Sequence, residues 1–135
     1  MAALGTISIV SNNVLLRDAS GRPAVREIKI AWVGSADDGS VPVLPIPGCV
    51  GLILDQLVVK PGTPNPTAAY DIALTDADAG DLAAAALANL SATVPLTVVV
   101  TNRARIGSGG FSVTITGNAV HSAEGILKIF LSKER

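Results

Sequence analysis

Residues that branch at Cβ occur in short runs along the whole chain, and turn residues separate the runs. Val, Ile and Thr together make up about a quarter of the 135 residues. Branching at Cβ restricts a side chain in a way that suits a pleated strand better than a helix. A parallel α/β fold would need a crossover helix after most strands. The pattern instead predicts an all-β fold of about eight strands: an antiparallel two-sheet β-sandwich, jelly-roll-like, with one short helix.

The length of the chain suits one hydrophobic core, so residues 1–135 are predicted to form a single domain. Hydrophobic residues make up 49% of the chain and charged residues 16%, which is the composition of a folded protein. A domain of this size needs neither a disulfide bond nor a structural metal. The lone Cys49 cannot form an internal disulfide bond, and its apolar neighbours in sequence predict a buried, unreactive thiol.

Apolar and polar residues alternate most clearly near the start of the chain. Thr6–Val10 and Val14–Arg17 lie on either side of Ser11-Asn12-Asn13, which predicts a hairpin that turns at those three residues. Residues 25–33 alternate in the same way, which predicts a strand with one face in the core and one in water. Trp32 is the residue of that strand most strongly expected in the core.

One helix is predicted, over residues 79–89. Asp76 and Asp78 precede it as N-terminal caps, alanines propagate it, and leucines give it a rough apolar stripe. With Asp81, the two aspartates also resemble the start of a calcium loop. The glycine and glutamate positions of an EF-hand are not matched, however. Capping is therefore preferred, and a weak cation site at Asp76, Asp78 and Asp81 is the alternative.

Three prolines punctuate residues 41–47. Proline has no N–H to donate to a β-ladder, so this segment is predicted to be an edge segment or an arm. A small domain that is half hydrophobic is expected to carry apolar surface beyond its own core, and self-association would cover it. The contact is predicted to lie at this arm or at the sheet edges, and the predicted interface residues are Val41, Val43, Leu44 and Ile46. The alternative is a monomer in which the arm closes over its own sandwich.

No pattern of catalytic, cofactor-binding or metal-binding residues is found, and no cofactor is expected. The loop at residues 107–110 is rich in glycine, but no lysine follows it as a phosphate-binding loop requires. Ser108 lacks the glycine two residues before it that a nucleophile elbow has, since Ile106 stands there. His121 is the sole histidine, and Glu124 near it does not make a metal site by itself. A loop histidine that is either hydrogen-bonded within the protein or faces solvent is expected at position 121.

The net charge of −1 provides no overall field to attract nucleic acid or anionic lipid. Arg103, Arg105, Lys133 and Arg135 could form a basic patch, but aromatic residues for base stacking make up only 3% of the chain. Nucleic-acid binding is therefore not expected. The longest apolar stretch, residues 49–54, is too short to span a membrane. The start of the chain lacks a signal-peptide pattern, so synthesis in the cytoplasm is expected.

An ordered set of short motifs resembles small virion structural proteins of tailed bacteriophages. In those proteins a "Pro-Thr … Tyr-Asp-Ile … Leu-Thr-Asp" strand, a short helix and an "Asn-x-Ser" turn recur. The likeness covers about residues 24–131, and the order of the motifs carries it. The matching residues are Pro66-Thr67, Tyr70–Asp76, Gly80–Leu82, Asn89–Thr93, Leu96–Asn102 and Gly109-Gly110.

The resemblance implies a non-enzymatic component of the virion, built on a β-sandwich. The favoured interpretation is a capsid decoration or cement protein that binds the major capsid protein as a homo-oligomer, with a trimer favoured. A neck or tail component is the nearest variant. A carbohydrate-binding or hydrolytic module on a jelly roll is the alternative from a different class, and the low aromatic content argues against it.

Overall fold

The computed structural model describes residues 5–21, 23–47, 49, 51–76, 80–83, 86–100, 105–107 and 110–133. Within these ranges the regular secondary structure consists of strands only. They are β1 (Thr6–Arg17), β2 (Pro23–Val33), β3 (Leu44–Ile46), β4 (Leu52–Pro61), β5 (Asp71–Asp76), β6 (Gly80–Asp81), β7 (Leu96–Val99), β8 (Phe111–Thr116) and β9 (Glu124–Lys133). None of the described segments is a helix of the length and apolar character that crossing a membrane requires.

The strands form two antiparallel sheets, which confirms the all-β prediction. Sheet A has the order β1-β2-β9-β4-β7, and sheet B has the order β3-β8-β5-β6. Strands β2 and β9, β3 and β8, β4 and β7, and β5 and β6 are partners. From β2 to β9, the first strand pairs with the last, the second with the second-to-last, and so on to the adjacent strands β5 and β6, as in one long hairpin. Successive pairs alternate between sheet A and sheet B, so the hairpin is rolled up. This is jelly-roll pairing, and β1 is added beside β2.

The inner faces of the two sheets share one hydrophobic core. Buried and partly exposed residues alternate strictly along β9 and along most of β8, because successive side chains of a strand point to opposite faces. Ile28, Ile30 and Trp32 of β2 are all buried, which confirms the predicted inner face of that strand. The indole of Trp32 lies against the ring of Tyr70, with the ring centroids 5.8 Å apart.

The hairpin predicted at Ser11-Asn12-Asn13 is wrong. β1 runs continuously through these residues, and Asn12 and Asn13 pair with Ile28 and Glu27 of β2. The register shifts between Ile9 and Ser11 and again between Val14 and Leu16. Such bulges absorb an extra residue without ending a strand. Pairing with an eleven-residue partner therefore overrides the local turn preference of Asn-Asn.

The short helix predicted over residues 79–89 is not found among the described residues of that segment. Gly80 and Asp81 form β6, and the residues that follow form turns. Their backbone groups bond to β5: Leu82 N–H donates to Leu74 C=O at 2.7 Å, and Ile72 N–H donates to Leu87 C=O at 2.9 Å. Isolated helices this short are marginal in water. Hydrogen bonds to a strand edge and burial of the leucines therefore prevail over the helical propensity of the alanines.

Candidate functional site

The residues predicted as an interface in the 41–47 segment lie in different environments. β3 forms one edge of sheet B, where Pro45 lies opposite Ser112. Ile46 is only 1% exposed and belongs to the core, and Val41 and Leu44 are partly buried against that core. Val43, just before β3, is 55% exposed. Of the four predicted residues, Val43 is therefore the one whose side chain is mainly available to a partner.

The largest exposed apolar stretch of the described chain lies on β1, at the outer edge of sheet A. Ile9, Val10, Leu15 and Leu16 are all exposed, and Val10 and Leu16 reach 56% and 59%. β1 is the edge strand of the five-stranded sheet A. Within β1, only Ile7 packs against the core. The free edge of this strand has backbone N–H and C=O groups that a further strand could pair with.

The opposite edge of sheet A carries a smaller apolar surface. β7 has four residues, and Leu96 and Val99 on it are exposed, Val99 to 71%. Val94 in the preceding turn is exposed as well. Sequence reasoning did not single out these residues or those of β1. Their run of valine and leucine is visible in the sequence, but only the sheet order shows that both strands lie at edges.

The aspartates considered for a cation site serve the backbone. Asp76 is buried, and its Oδ2 accepts a hydrogen bond from Gly107 N–H at 2.8 Å. Asp81 Oδ1 accepts hydrogen bonds from the N–H groups of Leu74 and Ala83. Asp78 lies outside the described residues. Among the residues that the structure describes, no group of three or more His, Cys, Asp or Glu residues could hold a metal ion.

Cys49 and His121 occupy the environments expected of them. Cys49 is buried, and burial raises the pKa of its thiol, although a hydrogen bond and the charge of Arg26 offset part of this rise. A thiol with a raised pKa is a poor nucleophile at neutral pH. His121 is exposed in a turn. Ser108 lies outside the described residues.

The residues considered for a basic patch or a stacking surface do not form one in the described part of the chain. Lys133 Nζ lies 2.8 Å from Asp18 Oδ2, in an ion pair. Arg105 is exposed and forms an isolated β-bridge with Ile53. Arg103 and Arg135 lie outside the described residues. The rings of Trp32, Tyr70 and Phe111 are buried and Phe130 is half-buried, so no fully exposed ring is available for stacking.

The fold and its surface thus define an all-β domain whose exposed apolar residues lie at sheet edges, which is the geometry of a module that binds by strand addition or apolar contact.

No protein-family model matches the chain, and no curated protein matches it. Among solved structures, it is similar to a chain of "Cyanophage Pam1 capsid asymmetric unit", with 18% sequence identity and a TM-score of 0.39. The alignment covers 93% of this chain and 99% of that one. A TM-score this low does not establish a shared fold.

Proposed function

We propose that the chain is a non-enzymatic structural protein of a tailed-bacteriophage virion, and that it acts as a decoration or cement protein of the head. The observation that carries the proposal is the exposed, uncharged apolar edge at β1 of a jelly-roll domain. A cement protein holds neighbouring subunits of the major capsid protein together. It needs contact area for this task and needs no reaction chemistry.

The position of the motifs in the fold supports this assignment. The Tyr70–Asp76 motif leads into and forms β5, and the Leu96–Asn102 motif begins with β7. Both belong to the rolled hairpin, so the resemblance to phage virion proteins covers residues that build the two sheets. Jelly rolls serve as capsid domains, but also as lectins and cupins. The order of the motifs, together with the fold, favours the virion.

If many copies of the protein bind one capsid shell, weak individual contacts are sufficient to hold them there. Many copies bound to one particle add their contacts, because each further contact of a tethered assembly forms at high effective concentration. We therefore propose that the protein binds the shell as a homo-oligomer. The trimer expected from the resemblance to phage virion proteins is one candidate state, with the 41–47 segment at its contact. Val43 is the residue of that segment most available for such a contact.

Burial of the aromatic rings argues against the carbohydrate-binding alternative. Sugar rings stack on exposed aromatic faces, whereas Trp32, Tyr70 and Phe111 are inside the core. A specific sugar ligand in a glycan screen would contradict the purely structural role.

The proposal is tested on virions separated into heads and tails. Quantitative mass spectrometry of each fraction gives the number of copies of the chain per copy of the major capsid protein. We expect the chain in the head fraction, at a copy number comparable to that of the major capsid protein. Recovery in the tail fraction, or at a few copies per particle, would identify a neck or tail component. Absence from purified virions would overturn the virion role altogether.

A further inference from the structure

Three lysines lie together on the outer face of sheet A, the face turned away from the core. Lys29 of β2 is directly opposite Lys128 of β9, and Lys60 of β4 is opposite Ile126, two residues from Lys128 on the same face. Neighbouring strands are about 4.8 Å apart, and alternate residues of a strand share a face, so the three side chains are neighbours. Lys29, Lys60 and Lys128 are called the lysine cluster below.

A lysine directly opposite a lysine departs from the usual rule of cross-strand pairing, because like charges in that position destabilise a sheet. Lys29 and Lys128 are also half-buried, so salt and water screen their charges less than at a fully exposed position. No ion pair joins the lysine cluster to a carboxylate in the described part of the chain. Departures from local rules are expected at functional sites, so the lysine cluster is a candidate for contact with an anion.

Two glutamates on the same face limit the size of that anion. Glu27 lies two residues before Lys29, and Glu124 lies four residues before Lys128, so both are on the outer face. Because β2 and β9 are antiparallel, the glutamates stand at opposite ends of the lysine cluster. They would repel a long chain of phosphates laid across sheet A. A protein partner that presents a short cluster of carboxylates therefore fits better than nucleic acid.

A depression lies beside the lysine cluster. Its volume is about 290 Å³, and its lining includes Ala31, Ile126, Lys60 and Glu124. Ala31 and Ile126 are directly opposite each other and half-buried, so they supply apolar surface. Lys60 and Glu124 are exposed charges beside them. A depression with apolar walls and few polar groups accepts an apolar side chain, here next to the position of the bound carboxylates.

We propose that the outer face of sheet A binds a partner protein, through a short cluster of carboxylates on the lysine cluster and an apolar side chain in the neighbouring depression. Charge complementarity carries the proposal: the partner's carboxylates supply the counter-ions that the chain does not place at these lysines. The inference goes beyond the virion role and does not depend on it, because it specifies the chemistry of the partner and not its location.

The first test is the binding of fluorescently labelled poly-L-glutamate, measured by fluorescence anisotropy. We expect binding that weakens as sodium chloride is added, because salt screens the charges. Lys128→Gln should raise the dissociation constant about tenfold, since β9 lies between the strands of the other two lysines. Lys133→Gln is the matched control: it removes the same charge from the same strand, but Lys133 is already paired with Asp18. It should change the dissociation constant by less than about twofold.

Other anions are compared on the same protein at the same salt concentration. Single-stranded oligothymidylate presents phosphates, and vesicles of phosphatidylserine with phosphatidylcholine present an anionic lipid surface. We expect both to bind more weakly than poly-L-glutamate. Tighter binding of either probe would overturn the proposal and assign the lysine cluster to nucleic acid or to a membrane. It would also be overturned if poly-L-glutamate failed to bind, or if Lys128→Gln and Lys133→Gln weakened binding equally.

The second test concerns the depression. A copolymer of glutamate and leucine should bind about tenfold more tightly than poly-L-glutamate, because a leucine side chain can enter the depression. Ala31→Phe fills the depression from the outer face, where residue 31 is half-buried, so the core is left unchanged. This variant should bind both polymers with the affinity of poly-L-glutamate. An unchanged preference for the copolymer would overturn the assignment of the apolar contact.

A third measurement separates binding from folding. Lys128→Glu replaces the like-charged pair with a glutamate opposite Lys29, so it should raise the midpoint of thermal unfolding by about 1–3 °C. The same variant should lose binding to poly-L-glutamate, since it places a negative charge within the lysine cluster. A misfolded variant would instead lose both stability and binding. A lower midpoint in Lys128→Glu would show that the lysines do not repel each other and would remove the physical basis of the proposal.

Discussion

At the scale of single residues, the indole of Trp32 leaves room only for a glycine at position 125. The two residues are directly opposite in the pairing of β2 with β9. A Cβ added at Gly125 would overlap three atoms of the indole ring. The tryptophan therefore covers the glycine, and no larger residue fits there unless the ring moves. This contact joins the largest core side chain to the smallest residue type.

Gly125→Ala is expected to lower the free energy of unfolding by about 2 kcal/mol or more, because overpacking a filled core forces side chains out of their rotamers. Urea unfolding followed by the emission of Trp32, the sole tryptophan, measures the change. The control is the same substitution made together with Trp32→Phe. The smaller ring should reduce the cost of the alanine. An equal cost in both backgrounds would show that the indole is not the obstacle.

Tyr70 is fully buried, and its hydroxyl has no hydrogen-bond partner among the described residues. Burial raises the pKa of Tyr70 from its ordinary value of 10.0 to about 12. The unfolded chain releases this proton near the ordinary pKa, while the folded protein still holds it. The free energy of unfolding should therefore fall as pH rises from about 10 to about 12, by on the order of 2 kcal/mol.

The alkaline step can be followed by ultraviolet absorbance, because Tyr70 is the sole tyrosine. Tyr70→Phe should remove the step. At neutral pH it should also leave stability unchanged or raise it by about 1 kcal/mol, since it removes a buried hydroxyl without a partner. A clear loss of stability in Tyr70→Phe would mean that the hydroxyl is bonded in solution.

At the scale of elements, the 41–47 segment contains both a core residue, Ile46 in β3, and an exposed residue, Val43 just before β3. Ile46→Asp places a carboxylate in the core and should destabilise the protein by about 4 kcal/mol or more. Val43→Asp, three residues earlier on an exposed side chain, should change the free energy of unfolding by less than about 0.5 kcal/mol. Thermal unfolding of the two variants measures both effects. If Ile46→Asp were tolerated as well as Val43→Asp, the burial of Ile46 would be contradicted.

This difference also decides how assembly through the 41–47 segment is tested. A variant with aspartate at Ile46 would lose binding merely because it unfolds. Val43→Asp keeps the fold and changes the exposed surface. A loss of particle binding in that variant would support the predicted interface, and unchanged binding would count against it.

The elements that sequence reasoning predicted correctly are those fixed by alternation alone. The pattern from Ile28 to Trp32 repeats every second residue, and it identified the inner face of β2. The turn at Asn12-Asn13 and the helix at 79–89 failed because a partner strand overrode local preference in both places. Asp81 shows what replaced the helix: it lies in β6, and its carboxylate accepts hydrogen bonds from the N–H groups of Leu74 in β5 and Ala83 in a turn.

At the scale of the whole molecule, the sequence could not predict which strands lie at the exposed edges of the sheets. Ile9, Val10, Leu15 and Leu16 look like ordinary strand residues, since an apolar run does not reveal whether a second sheet covers it. Only the order of strands shows that sheet A has one strand more than sheet B. That β1 and β7 are the edge strands of sheet A is a property of the complete topology.

The position of β9 has a consequence for how the protein comes into being. β9 lies in the middle of sheet A, between β2 and β4, yet it follows the other eight strands along the chain. A ribosome adds about 5–20 residues per second, so several seconds pass between the synthesis of β2 and β4 and the synthesis of β9, which pairs with both. During that interval their apolar faces are unpaired. Newly made chains would therefore depend on chaperones, or on low local concentration, until β9 is released.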